Sequence, residues 1–195
     1  AHPLPPHDGG AGSVEALING LPFSLTESQI QAWGQISADL ALQVPMQRLL
    51  QADVGAGKTV TALLAMVSAV ENGFQAALLA PTEVLARQHY SSLGDLLTRA
   101  GLDVPLHLLT GKRSQAEKNE ALMRLAAGEA GIVVGTHALI QEGVEIPQLA
   151  LLVVDEQHRF GVAQREYLRE GREWTPHLLV MTATPIPRTI AMTVF

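Results

Sequence analysis

The sequence of 195 residues contains no cysteine, which excludes disulfide scaffolds and cysteine-ligated zinc or iron–sulfur sites. The same absence favours a cytoplasmic location. Aromatic residues make up only 4% of the chain and charged residues 16%, but hydrophobic residues make up 47%, which is enough apolar surface for a folded core. No apolar run reaches the roughly 18 residues that a membrane span requires. Length and composition together predict a single α/β domain with a flexible end.

Positive charge is also scarce, because the net charge is −6. This balance argues against a broad nucleic-acid-binding surface, since phosphate contacts require clustered lysine and arginine. Any such site must be local, and GKRSQAEK, with Lys112, Arg113 and Lys118 around a turn, is one candidate beside the commoner interpretation as a solvated loop. The first segment, AHPLPPHDGGAGSVEALING, is rich in proline and glycine. It predicts a flexible linker over residues 1–20, followed by a domain over residues 21–195.

Short apolar runs with β-like composition alternate with helical patterns along the rest of the chain. Alternation of this kind predicts a mostly parallel sheet with helices on both faces. The runs ALLVVD and HLLVM are almost entirely apolar, which is typical of central strands covered on both sides. The predicted strands are residues 46–51, 76–80, 105–109, 131–135, 150–155 and 177–182, and the predicted helices are residues 26–42, 58–72, 83–100, 114–127 and 162–170.

Polar segments follow the predicted strands in turn. They are residues 53–59 and then APTE, LTGK, GTH, DEQH and TATP. Open parallel sheets bind ligands beyond the carboxyl ends of their strands. The sequence therefore predicts that these segments meet along one edge of the sheet and form the functional site there.

The first of these segments, ADVGAGKT, is close to the phosphate-binding pattern G-x-x-x-x-G-K-[ST], with Ala52 at the position of the first glycine. In such a loop, backbone N–H groups and the positive end of the following helix bind phosphate oxygens. Lys58 would neutralise phosphate charge, and the Thr59 hydroxyl would bind Mg²⁺. The alternative is a strand-to-helix turn with an incidental lysine. The predicted nucleotide-binding loop residues are Asp53, Val54, Gly55, Ala56, Gly57, Lys58 and Thr59.

Two adjacent acids close the apolar run LLVVDEQH. Carboxylates at the end of a buried strand are costly unless a metal or a reaction uses them. Asp155 is suited to Mg²⁺, and Glu156 to orienting and deprotonating an attacking water. An isolated pair of acids at a strand end more often faces solvent, but the phosphate-binding pattern in the same chain favours the catalytic interpretation.

The segments ADVGAGKT, PTEVLA, DEQH and TATPIPRT together resemble the superfamily 2 helicases and translocases, in which DEQH is a DEAH-like box. The string DEQHRFGV is most similar to the RecG branch, and the resemblance extends from about residue 21 to residue 195. Transcription–repair coupling translocases share much of the pattern and are the nearest sibling group. The resemblance implies a RecA-like P-loop domain, the first of two in an ATP-dependent DNA helicase that uses ATP and Mg²⁺ and acts on branched or duplex DNA.

The resemblance also implies that these residues are a fragment, because the family has a second RecA-like domain whose arginines complete the ATP site. Two function classes compete with this interpretation. A nucleotide-dependent switch would use the same loop without motor activity. A small-molecule kinase would have a phosphoacceptor pocket and lid arginines, whereas this sequence has DEQH and TATP.

Further roles follow only from the resemblance. Gln29 would read adenine, with Phe23 as a wall of the pocket, although Thr26 to Gln29 also fits the helix-capping pattern S/T-x-x-E/Q. Residues that couple the ATP and DNA sites would be Gln157, His158, Thr182 and Thr184. Residues that contact the DNA backbone would be Pro81, Thr82, Glu83, Thr110, Gly111, Thr136 and His137, for whose threonines helix capping and strand-end hydrogen bonding are the local alternatives.

Overall fold

A parallel sheet lies at the centre of the structure. The computed structural model describes residues 11–51, 56–111, 113–140, 144–155, 162–169 and 171–182, with the backbone alone at residues 11, 56–58 and 162–165. In these ranges one sheet has six strands in the order β1-β6-β5-β2-β4-β3, and every neighbouring pair is parallel. The predicted strands and their parallel arrangement are confirmed. The strands are β1 Gln47–Gln51, β2 Gln75–Leu79, β3 Leu106–Leu109, β4 Gly131–Gly135, β5 Leu149–Asp155 and β6 His177–Thr182.

Helices connect the strands, and the five predicted helices are confirmed. Polar residues cap several of them: Thr26 and Ser114 form complete capping boxes, and the Thr82 side chain accepts the N–H of Leu85. No helix in the described ranges is both long enough and apolar enough to cross a membrane. The helices are α1 Ala11–Asn19, α2 Glu27–Leu40, α3 Ala56–Glu71, α4 Glu83–Arg99, α5 Gln115–Ala126 and α6 Val162–Arg169, with a 3₁₀ helix at His137–Ile140.

The core consists of two layers, one on each face of the sheet. Alternate side chains of a strand point to opposite faces. In β5, Leu151 and Val153 therefore pack with helices α1 to α4, whereas Leu152 and Val154 pack with α5, α6 and the 3₁₀ helix. Every residue of β5 and β6 is buried. Both strands are central and covered on both sides, as their continuous apolar runs predict.

Helix α1 differs from the linker predicted for residues 1–20. Its residues Val14 and Leu17 are 4% and 0% exposed and belong to the core layer formed with α3 and α4. The helix ends at a close approach to α4, because a Cβ on Gly20 would lie 2.7 Å from the Cα of Ala100. The prolines and glycines that suggested a linker precede this helix, apart from Gly12 and Gly20, and the apolar spacing of Val14 and Leu17 favours a helix. Residues 1–10 lie outside the described ranges.

The edge strand β3 carries one histidine, His107, whose protonation equilibrium is shifted. His107 is half-buried beside Arg124. Burial, and then the positive charge of Arg124, lower the pKa of His107 below its ordinary value of 6.5. The folded chain therefore binds this proton less readily than the unfolded chain does. Lower pH must weaken the fold through this group.

We expect the free energy of unfolding to fall as the pH decreases from 6.5, and the contribution of His107 to be fully lost below its pKa in the folded state. Urea unfolding between about pH 5 and pH 8 measures this slope. The variant His107→Asn has no titrating ring and should show a shallower decrease. Equal slopes in the two proteins would contradict the assignment.

Candidate nucleotide and nucleic-acid site

The carboxyl ends of the strands form one edge of the sheet, as predicted, because all the strands in the described ranges are parallel. We call this the carboxyl edge: the start of α3, residues 81–83, 110–111 and 136–137, Asp155 and Thr182. Other predicted site residues lie outside the described ranges, namely Asp53, Val54, Gly55, Glu156, Gln157, His158 and Thr184. Only the backbone is described at Ala56, Gly57 and Lys58.

Helix α3 provides the described part of the predicted phosphate-binding loop. It begins at Ala56, so Lys58 and Thr59 belong to its first turn. The first N–H groups of a helix have no partner within the helix, and they coincide with the positive end of its dipole. The side chain of Thr59 is in the interior, because the residue is 7% exposed. The first turn of α3 is therefore suited to binding an anion at the carboxyl edge.

Asp155 is the last residue of β5 and is only 5% exposed. Alternation along the strand places it on the same face as Val153, which is the face covered by α3 and α4. Its Oδ2 atom lies 2.7 Å from Nε2 of His89 on α4. The structure thus brings the predicted metal-binding carboxylate to the face of the sheet that carries the first turn of α3.

His89 was not among the residues predicted for the site. It is on the buried side of α4, in a row whose other members are Ala86, Leu93 and Leu97. A histidine in an otherwise apolar row is a detectable sequence signal, since its polar ring needs a partner when buried. The identity of the partner required the fold, because 66 residues separate His89 from Asp155.

Oxygen ligands dominate the chemistry available for a metal at this edge. Asp155 offers a carboxylate and Thr59 a hydroxyl, and Mg²⁺ prefers oxygen ligands of this kind. The described residues contain no group of three or more His, Cys, Asp or Glu side chains that could hold a metal alone. A donor set of this kind suits an ion that also binds phosphate oxygens and water. The residues therefore fit Mg²⁺ bound together with a nucleotide.

The segment predicted to read adenine forms both a helix cap and an open cavity. Oε1 of Gln29 accepts the N–H of Thr26 at 2.9 Å, and the Thr26 hydroxyl accepts the N–H of Gln29 at 3.2 Å, so the capping box is formed. Phe23 is 36% exposed and lines a cavity of about 670 Å³ together with Ile30 and Trp33. The adenine role of Gln29 and Phe23 remains a prediction, supported by an apolar wall of suitable type beside the start of α2.

Two segments of the carboxyl edge are joined by a hydrogen bond. Oε1 of Glu83, in the first turn of α4, accepts the N–H of Gly111 at 2.7 Å. The contact passes strand β4, which lies between β2 and β3. A side chain at residue 111 would crowd this bond, since a Cβ there would lie 2.8 Å from that carboxylate oxygen. The predicted DNA-contacting segments after β2 and β3 are therefore held in a fixed relation.

The remaining predicted DNA-contacting residues differ in exposure. Thr82 is exposed. Its Oγ1 atom accepts the N–H of Leu85, so the hydroxyl hydrogen can still be donated to another group. His137 is also exposed, at the start of the 3₁₀ helix, whereas Thr136 is half-buried. Thr110 is only 2% exposed, and its hydroxyl makes no hydrogen bond within the described part of the chain. Contact between Thr110 and DNA therefore requires some local opening.

The basic turn next to Gly111 is partly neutralised by its surroundings. Nη1 of Arg113 lies 3.6 Å from Oε2 of Glu117, and its guanidinium lies 5.5 Å from the ring centre of Tyr90. Nζ of Lys118 donates to the carbonyl oxygen of Gly111 at 3.3 Å. These contacts place positive charge beside the carboxyl edge, and they give Lys118 a structural role there.

Comparisons with known proteins agree with this architecture. The sequence profile of the DEAD/DEAH box helicase family matches residues 26–193. The chain is 53% identical over 182 residues to the ATP-dependent DNA helicase RecG of Streptococcus pneumoniae, a match that covers 93% of this chain and 26% of that protein. A solved structure of RecG bound to a three-way DNA junction matches with a TM-score of 0.84 and 40% identity, over 98% of this chain and 25% of that chain.

A third comparison supports the fold alone. The crystal structure of a DEAD box protein from Methanococcus jannaschii matches 92% of this chain and 49% of its own, with a TM-score of 0.66 and 22% identity. The predicted RecA-like fold and the predicted likeness to RecG are confirmed. The chain spans about a quarter of the length of the RecG proteins that it matches.

Proposed function

The chain belongs to the DEAD/DEAH box helicase family, and we propose that it is the ATP-binding motor domain of a RecG-like DNA helicase. Such a protein couples ATP hydrolysis to movement on branched or duplex DNA. The observation that carries the proposal is the position of Asp155, a buried carboxylate at the end of a central strand, on the sheet face that carries the first turn of α3. The free-energy cost of burying the Asp155 carboxylate is offset if this group binds a cation at that site.

In the proposed site, the triphosphate lies at the start of α3, where backbone N–H groups and Lys58 neutralise its charge. Asp155 and the Thr59 hydroxyl would hold Mg²⁺, and the ion would supply positive charge at the phosphate oxygens. Glu156 orients the attacking water and accepts its proton. Phe23 and Gln29 bind the adenine. Gln157, His158, Thr182 and Thr184 link this site to the DNA-contacting segments.

We propose that the DNA backbone lies along the carboxyl edge, against residues 81–83, 110–111 and 136–137. Hydroxyl groups, backbone N–H groups and the first turn of α4 bind phosphates without reading base sequence. Such contacts suit a motor, because they are the same at each step along the strand. The RecG structure with a three-way junction supports branched DNA as the partner.

We also propose that the working protein is longer than this chain, because its RecG relatives are about four times as long. A second RecA-like domain in the same protein would then complete the ATP site. We therefore expect ATP turnover and its stimulation by DNA in that longer protein.

Replacing Lys58 by alanine should weaken the binding of ATP with Mg²⁺ by about tenfold or more, since a hydrogen bond to a charged group contributes about 1.5–3 kcal/mol and each 1.4 kcal/mol is about tenfold. Calorimetric titration measures the change. The control Arg99→Ala removes one positive charge from the exposed last turn of α4, at the end of the helix away from the carboxyl edge, and should bind ATP like the unmodified protein. Equal affinity in Lys58→Ala and the unmodified protein would refute the phosphate-loop assignment.

The rate of ATP hydrolysis with single-stranded, duplex and branched DNA tests the motor proposal against a nucleotide switch. A motor domain predicts DNA-stimulated turnover, with the greatest stimulation by branched DNA. A switch predicts ATP binding with no stimulation by any of the three DNA forms.

A further inference from the structure

The polar group buried deepest in helix α4 is the imidazole of His89. The residue is 9% exposed and occupies the core-facing row between Ala86 and Leu93, where an apolar side chain would pack without needing a hydrogen-bond partner. A buried imidazole contributes to the fold only when its nitrogens are satisfied. The position therefore suggests that the ring serves its partner as well as the core.

The partner is the carboxylate predicted to hold Mg²⁺. Nε2 of His89 and Oδ2 of Asp155 lie 2.7 Å apart, and their side chains are 11% and 4% exposed. An ionised carboxylate can only accept, so Nε2 donates the hydrogen. A short, charge-assisted hydrogen bond in the interior restricts rotation of the carboxylate. Second partners of this kind orient metal ligands in many proteins.

The same helix reaches the predicted DNA-contacting segments. Glu83, six residues before His89, holds the N–H of Gly111. Six residues of helix span about 9 Å at a rise of 1.5 Å per residue. One rigid helix thus fixes both the carboxylate at the end of β5 and the loop after β3. A displacement of α4 by bound DNA would be transmitted to Asp155 through His89.

We propose that His89 is a positioning residue that orients the carboxylate of Asp155 for Mg²⁺–nucleotide binding and connects it to the carboxyl edge through α4. The inference rests on the proposed function, because it assigns Asp155 to that site. It adds a residue and a physical connection that the motifs in the sequence do not contain.

Two amide variants separate positioning from packing. His89→Gln places an amide nitrogen near the position of Nε2, whereas His89→Asn places it near Nδ1, too short to reach Asp155. Affinity for ATP is measured with Mg²⁺ and again with a chelator. We expect His89→Asn to lose about 10–100-fold in the apparent affinity for Mg²⁺ in the ATP complex, the usual cost of losing such a partner. We expect its metal-free ATP affinity to stay unchanged and His89→Gln to stay close to the unmodified protein.

A spectroscopic measurement on the unmodified protein does not depend on how the variants fold. The ring ¹⁵N signals of His89 should report hydrogen on Nε2 and should shift when ATP and Mg²⁺ are added together, but not when ATP is added with a chelator. Unshifted signals would overturn the inference.

The binding outcomes distinguish the two proposals. If the unmodified protein binds ATP with a clear Mg²⁺ dependence and His89→Asn behaves identically, the positioning role is wrong and the proposed function stands. If both variants lose affinity equally with and without Mg²⁺, His89 serves only the packing of α4. If the unmodified protein itself shows no Mg²⁺-dependent ATP binding, the proposed function is wrong.

Discussion

Replacing Glu156 by glutamine is expected to lower DNA-stimulated ATP turnover by about 10²-fold or more, as losses of a general base usually do. Glutamine keeps the shape of the side chain and removes the carboxylate that we propose accepts the proton of the attacking water. Binding of ATP should persist, because Lys58, Thr59 and Asp155 are unchanged. Steady-state turnover and calorimetric affinity, measured on the same preparation, separate the two effects.

A matched control is available at the opposite end of the same strand. Glu145 is exposed and precedes β5, so Glu145→Gln makes the same chemical change at the edge of the sheet away from the site. It should leave turnover unaltered. Near-normal turnover in Glu156→Gln would remove this residue from the mechanism, and equal losses in both variants would point to a general effect of charge.

Much of the fold was predictable because local and global signals agree in this chain. The run ALLVVD is apolar at nearly every position, and a strand with this pattern must be covered on both faces. Its place beside β2 and β6 in the middle of the sheet follows from that requirement. Helix α1 was missed because the composition of residues 1–20 outweighed the short apolar spacing of Val14 and Leu17. Its helical structure depends on packing against α3 and α4, which no local pattern shows.

Site residues that directly follow a strand could be predicted from the sequence. Hydrogen bonds between distant segments could not. Asp155 was identifiable because a carboxylate at the end of an apolar strand is costly to bury unless it binds a metal or takes part in a reaction. The bond from Glu83 to Gly111 and the bond from His89 to Asp155 span 28 and 66 residues, and each depends on the order of strands in the sheet. The family resemblance predicts a contact between Glu83 and DNA, whereas the hydrogen bond from Gly111 to Glu83 depends on the three-dimensional fold.

Outside the longer protein, the 195-residue chain should be a poor ATPase, and restoring the proposed second RecA-like domain should raise turnover by about 10³–10⁵-fold. A factor of that size is what an arginine at the γ-phosphate contributes to phosphoryl transfer. The family resemblance assigns that arginine to the second domain. The isolated chain should also bind DNA weakly, for two reasons. The surface with which the second domain would contact the DNA backbone is absent, and a net charge of −6 provides no general attraction to DNA.

The test of this last prediction compares ATP hydrolysis by the 195-residue chain and by the longer protein, each with and without branched DNA. Strand unwinding by the chain alone should be negligible. Glu156→Gln in the longer protein is the control, since it must abolish the restored turnover if this domain supplies the catalytic base. Robust DNA-stimulated hydrolysis by the 195-residue chain would mean that a complete active site lies within it, and the dependence on a second domain would then be wrong.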